Sequence, residues 1–267
     1  MIFESHAHYD DEAFDEDRDE LLSGMRRQGI DYVMNISSDL SSVRTTLALA
    51  EKYPFVFAAV GIHPSDTGEL NEENFEWLRR QCGHGKVLAV GEIGLDYYWD
   101  NVEREVQKKW FARQLALANE TSLPVVIHSR DAAKDTLDIM KTEKAVEKRG
   151  VIHCFSYTKE SAREFLNMGY LIGVGGVVTF QNAKKLRECV EYVPLDSILL
   201  ETDSPYLAPV PYRGRRNCSL YLPFVAEKIA EIKGISAEEV TAATEKNAKR
   251  LFMGNEDFGA DTARDGL

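Results

Sequence analysis

V-L-A-V-G-E-I-G-L-D, Val87–Asp96, is the stretch on which the reading of the whole chain turns. Four apolar residues lead into Gly91 and Glu92, and Gly94 follows two residues later. A short apolar run closed by glycine predicts a strand buried on both faces of a parallel sheet. A carboxylate at the end of such a strand is costly unless it is paired with a base or bound to a cation. A salt bridge to a lysine or arginine on a neighbouring element would satisfy Glu92 equally well. The ends of the other strands decide between the two.

Working outward, apolar runs recur at 2–5, 31–36, 56–62, 124–128, 150–154, 170–174 and 197–202. Amphipathic helices are predicted between and after them, at 15–27, from Ser38 or Asp39 to Lys52, and at 71–81, 102–120, 131–148, 159–168, 181–192, 220–232 and 236–252. Strict alternation implies a parallel sheet with helices outside. Eight such units predict an α/β chain folded as a single (β/α)8 TIM barrel over residues 1–253, with its site at the C-terminal ends of the strands. An open doubly wound sheet is the alternative, but no G-x-G-x-x-G follows the first strand to support a dinucleotide site. The polar, glycine-containing tail, 254–267, is expected to be disordered.

Composition narrows the class. The 267 residues carry a formal net charge of −12, which excludes a protein that coats duplex nucleic acid by backbone electrostatics alone. If the substrate is a phosphorylated polymer, positive charge must be local, from metal ions or a small arginine cluster. No apolar run is long enough to span a bilayer, and no signal peptide is evident, so a cytoplasmic protein without membrane contact is expected. The four cysteines, Cys82, Cys154, Cys189 and Cys218, form no C-x-x-C and fit a reducing compartment. Cys154, next to His153, is expected to face the opposite side of its strand and to pack. Nothing demands more than a monomer.

The strand ends carry the chemistry. Strand one delivers His6 and His8, strand three His63, strand four Glu92, strand five His128, strand six His153 and strand eight Asp203. Of six histidines only His84 lies elsewhere, toward the opposite end of the barrel. Residues i and i+2 of a strand share a face, so His6 and His8 can clamp one cation. Imidazole with carboxylate suits Zn²⁺, Mn²⁺ or Fe²⁺, whereas an all-oxygen site suits Mg²⁺. Glu92 is the natural bridge between one or two divalent metal ions, with His6, His8 and Asp203 on one side and His128 with His153 on the other. Glu92 and Asp203 are the expected catalytic residues. His63 either contacts substrate phosphate, the role assigned to it here, or hydrogen-bonds across the barrel mouth. The segment after strand eight, S-P-Y-L-A-P-V-P-Y-R-G-R-R-N, adds Arg213, Arg216 and Tyr206 as expected substrate contacts, through guanidinium forks on phosphate and ring faces on bases. Tyr97, Tyr98 and Trp99, beyond strand four, either line the cleft or pack in the core.

E-S-H-A-H, V-G-I-H-P, V-G-E-I-G-L-D-Y-Y, P-V-V-I-H-S-R, I-H-C-F-S, L-L-E-T-D-S-P-Y and P-Y-R-G-R-R-N together resemble the successive motifs of the TatD family, in order, over residues 1–252. That resemblance implies a metal-dependent deoxyribonuclease on a (β/α)8 barrel. It implies 3′-to-5′ exonuclease activity on DNA, single-stranded or at 3′ ends, with RNA as a further substrate and a link to DNA repair. It implies that His6, His8, Glu92, His128, His153 and Asp203 are divalent-metal ligands, with Mg²⁺ the ion expected in use. Two positions depart from the family pattern. Glu4 stands where aspartate is usual, two residues before His6, and Cys218-Ser219 replace Glu-Pro after the loop asparagine. The alternative function is hydrolysis of small esters, amides or phosphoesters on the same scaffold. Many such enzymes bridge their metals with a carboxylated lysine at the place where this chain has Glu92.

Overall fold

A computed structural model of the protein describes residues 1–99, 101–143 and 150–254. Eight parallel strands run in ring order, β1 (Ile2–Ala7), β2 (Ile30–Ile36), β3 (Val56–Val60), β4 (Val87–Asp96), β5 (Val125–Arg130), β6 (Gly150–Ile152), β7 (Leu171–Val174) and β8 (Ile198–Leu200). The helices between them are α1 (Arg18–Met25), α2 (Leu40–Lys52), α3 (Glu72–Gln81), α4 (Arg104–Thr121), α5 (Ala133–Thr142), α6 (Lys159–Asn167) and α7 (Lys184–Tyr192). Two more, α8 (Leu222–Lys233) and α9 (Ala237–Phe252), complete the order. The seam between last and first strands is stitched just past β8. Asp203 N–H donates to the His6 carbonyl (2.9 Å) and His8 N–H to the Ser204 carbonyl (2.8 Å). The expected TIM barrel is the fold. Among the described residues no helix is long and apolar enough to cross a membrane.

Local chemistry sets the helix starts. Asp39, Asn71 and Ser236 each form a reciprocal capping box with the residue three positions on, a contact worth about 1 kcal/mol where it replaces an unsatisfied end. The expected helix over 131–148 is observed as Ala133–Thr142, and residues 144–149 lie outside the described set, as does the expected tail beyond Gly254.

Two apolar layers hold the barrel. Phe3, Met34, Ile36, Phe57, Ala59, Ala89, Val126, Val151, Leu171 and Leu199 fill its interior, and Phe252 of α9 packs with them. The alternate strand residues, such as Val33, Val60, Val90, Ile127 and Ile152, pack outward in the larger core that includes the helices. Alternation then places His128 beyond Val126, His153 beyond Val151, and both Glu201 and Asp203 beyond Leu199, all on the interior face.

Alternation alone fails on two strands. Phe3 faces inward, so His6, three residues on, should face out. Ala89 faces inward, so Glu92 should also face out. Register shifts fall between Glu4 and Ala7 and between Val90 and Ile93, and both side chains point into the barrel. Irregularities of this kind re-aim side chains beside active sites. Gly94 sits at φ +147° opposite His128, where a Cβ would collide with the His128 carbonyl oxygen. Gly94→Ala is therefore expected to destabilise the protein by about 3 kcal/mol. Gly85→Ala, whose Cβ would meet nothing within 4 Å, is expected to stay within about 0.5 kcal/mol of the parent. Urea unfolding of the two variants compares these values directly.

Candidate metal centre

Glu92 is 3% exposed and stands at the middle of the barrel mouth. Its carboxylate lies 2.8 Å from His128 Nδ1, 3.3 Å from His153 Nε2, 3.4 Å from His6 Nε2, and 3.9 Å from both His8 Nε2 and His63 Nε2. Asp203 faces the same space, 3.4 Å from His8 Nε2 and 3.7 Å from His6 Nε2. All six expected ligands thus converge, and His63 joins them. Donor atoms of His6, His8 and Asp203 group on one side, as the sequence predicts. On the other, Glu92 and His128 group with His63. His153 lies face to face with His6, ring centroids 3.6 Å apart, and keeps its Nε2 on Glu92.

The scaffold aims these rings. His8 Nδ1 donates to the Ile36 carbonyl (2.8 Å), which frees Nε2 toward Glu92 and Asp203. His63 Nδ1 accepts the Ser65 N–H (3.2 Å), so the neutral ring carries its proton on Nε2. Behind His6, fully buried Glu4 accepts hydrogen bonds from Thr202 N–H (2.9 Å), Thr202 Oγ1 (2.7 Å), Ser219 Oγ (2.8 Å) and His6 N–H (3.1 Å). The two departures from the family pattern therefore meet: Ser219 bonds Glu4 with its hydroxyl and donates its N–H to Tyr9 Oη (2.8 Å), a bond proline cannot make.

Three site residues escaped the sequence reading. Glu201 is buried beneath His153, with Oε1 3.4 Å from His153 Nδ1 and accepting the Cys154 N–H (2.5 Å). Gly173 makes this possible, because a Cβ there would overlap the Glu201 carboxylate. Asp96, 2% exposed, faces His128 Nε2 at 3.1 Å. Cys154 corrects an expectation. β6 ends at Ile152, and Cys154 adopts φ +45°, so its sulfur joins His153 and Asp203 at the mouth instead of packing on the far face.

The remaining expected contacts divide. His63 and Tyr206 line the cavity of about 360 Å³ together with His8, Glu92, His128, His153 and Asp203. Arg213 lies over the Phe180 ring (4.4 Å), and Arg216 is forked onto Asp17 (2.7 and 2.5 Å). Neither arginine is on the cavity wall. His84 pairs with Glu51 outside the site (3.0 Å), as expected.

Burial opposes charge at the centre, yet Glu92 and Asp203 keep theirs. Burial would raise Glu92, but His153, His6 and His128 outweigh it and hold the carboxyl well below the usual range. Asp203 is lowered too, its burial overcome by His8, His153 and His6. The converse holds for the bases. Burial disfavours charged His8 and His153, but Asp203 and Glu92 push His8 up to about 9, and Glu92 and Glu201 push His153 up to about 10. His63 goes the other way, down to about 3, through burial and the neighbouring His128.

Imidazole nitrogens and carboxylate oxygens spaced at 3–4 Å around a common point fit a divalent cation of the Zn²⁺, Mn²⁺ or Mg²⁺ type. Three buried donor atoms of the same cluster, His6 Nδ1, His153 Nδ1 and Glu201 Oε2, have no hydrogen-bond partner, as polar atoms in ion-binding pockets often do not. Barrel and cluster together define a metal-dependent hydrolase of the (β/α)8 class.

Comparison with known proteins narrows that class. Residues 3–253 match the family described as TatD related DNase, and the chain belongs to the TatD family. It is 42% identical over 255 residues to the uncharacterized metal-dependent hydrolase YabD of Bacillus subtilis, covering 96% of this chain and 100% of that one. It is 34% identical over 248 residues to the 3′-5′ ssDNA/RNA exonuclease TatD of Cronobacter sakazakii, covering 91% and 94%. The crystal structure of YjjV, a TatD homologue from Escherichia coli, superposes with a TM-score of 0.89 at 32% identity, covering 94% of this chain and 98% of that one.

The protonation pattern yields a measurable consequence. At pH 8 the metal-free protein holds extra protons on His8 and His153, because that pH lies below about 9 and about 10. A cation takes neutral imidazole and expels them. Metal addition at pH 8 should release about two protons per site, read from calorimetric heats in buffers of different ionisation enthalpy. Release should fall toward zero as the pH is raised through 10.

Proposed function

We propose that this protein is a metal-dependent 3′-to-5′ exonuclease that hydrolyses phosphodiester bonds of single-stranded DNA, with RNA as a second polymer. The convergence of five histidines on Glu92, with Asp203 beside them, carries this reading. The name of the Cronobacter relative supports the choice of substrate. A place in DNA repair rests on the family resemblance.

His6, His8, Glu92, His128, His153 and Asp203 would hold one or two divalent cations. A cation held there acidifies water and neutralises charge on the phosphoryl oxygens. Asp203, ionised and at the cavity wall, orients the attacking water and accepts its proton. His63 has a different task. Its proton is on Nε2, its ring is neutral at physiological pH, and that Nε2–H faces the cavity. It is therefore a hydrogen-bond donor for a non-bridging phosphate oxygen, where charge grows in the transition state. Tyr206 also lines the cavity, with its hydroxyl on Asp11 (3.0 Å). Of Arg213 and Arg216, Arg213 has the freer fork for a neighbouring phosphate, since Arg216 is already engaged by Asp17.

Metal-stripped protein resupplied with Mg²⁺, Mn²⁺ or Zn²⁺ should shorten 3′-labelled and 5′-labelled single-stranded DNA from the 3′ end only. Glu92→Ala and Asp203→Ala should each lower kcat about a thousandfold. His63→Ala should cost about a hundredfold, with partial recovery in His63→Gln, which restores an N–H donor. Full nuclease activity in Glu92→Ala would sink the reading. Turnover of small esters with none on DNA would replace it with the small-molecule alternative.

A further inference from the structure

Past Glu92, β4 runs on to Asp96, and the chain then turns through three aromatic residues. Tyr97 packs: its hydroxyl donates to Asp135 (2.7 Å), and the Arg104 guanidinium lies 4.2 Å from its ring centroid. Tyr98 and Trp99 are instead 55% and 53% exposed. They meet edge to face, centroids 5.0 Å apart at 86°. The Arg130 guanidinium lies 3.9 Å from the Tyr98 ring centroid and 5.9 Å from that of Trp99. Arg130 makes no ion pair with any described residue, in a chain whose net charge is −12. Two half-exposed rings thus stand beside a guanidinium that has no ion pair among the described residues.

The turn that presents them is a built one. Asp96 Oδ1 accepts the N–H groups of Tyr98 (2.8 Å) and Trp99 (3.1 Å), while Oδ2 faces His128 Nε2 (3.1 Å). A single buried carboxylate therefore spaces the aromatic turn from the metal centre. Arg130 rides on β5 two residues beyond His128, so the cation and the metal-facing imidazole share one rigid strand. In the eight-membered ring β4 stands opposite β8, which puts this patch across the mouth from Tyr206.

We propose that Tyr98, Trp99 and Arg130 form the subsite for the nucleotide adjoining the scissile phosphate, with the rings stacking on its unpaired base and Arg130 holding its phosphate. This rests on the polynucleotide reading above. Ring faces stack on any base, so the subsite is sequence-tolerant. A guanidinium fork matches phosphate oxygens. Bases inside a duplex are already stacked and cannot reach the rings, so the same three residues select a single strand.

Trp99 supplies the probe. Titrating Mg²⁺-loaded protein with phosphorothioate oligothymidylate should quench tryptophan fluorescence in the parent and leave Trp99→Phe unquenched. Trp99→Ala and Arg130→Met should each lower kcat/KM on a single-stranded oligonucleotide about tenfold relative to kcat/KM on bis(4-nitrophenyl) phosphate. The Trp99→Ala loss should vanish when the 3′-terminal nucleotides are abasic. Equal quenching in Trp99→Phe, or equal losses on oligonucleotide and small diester, overturns the subsite. Quenching without cleavage of any polynucleotide keeps the subsite and removes the nuclease reading. Cleavage without a Trp99-dependent signal does the reverse.

Discussion

A carboxylate removed from water must be neutralised, and the barrel mouth is arranged around that requirement at Glu92. Five imidazoles reach it within 4 Å, delivered by β1, β5, β6 and the turn after β3. Asp96, Glu201 and Asp203 add three more carboxylates to the cluster. Such a group is unstable as separate charges in a medium of low polarity. It becomes tolerable when shared protons or a cation sit among its members. The same atoms that make the cluster costly when empty make it selective for a small, highly charged guest.

Most of the scaffold was legible because periodicity is a strong signal. Apolar runs located the strands, and their ends singled out His128, His153 and Asp203, which the folded chain brings to the same mouth. His6 and Glu92 also ended up inside, but through register shifts that no alternation rule contains. Cys154 was misplaced because the strand stops two residues before it and the backbone turns left-handed there. Glu201 was missed although the signal was present. It stands two residues before Asp203, the same-face spacing that singled out His6 with His8. Asp96 had no such neighbour, and only the folded chain brings it to His128.

Charge at the rim follows a different logic from charge at the centre. The loop after β8 is rich in arginine, yet Arg216 spends its fork on Asp17 and covers the Phe14 ring (4.7 Å). In an acidic chain, a basic loop is drawn first to its own protein. Of the three arginines in that loop, Arg216 alone makes an ion pair among the described residues, so position in a basic run is a poor guide to what a side chain can reach.

The seam has a consequence in time. Asp203, bonded through its backbone to His6, is made nearly two hundred residues after His6 and His8. A chain emerging from the ribosome carries the histidine pair long before its acidic partner exists. Since β1 meets the far edge of the sheet through the segment after β8, the group of His6, His8 and Asp203 is complete only when that segment is in place.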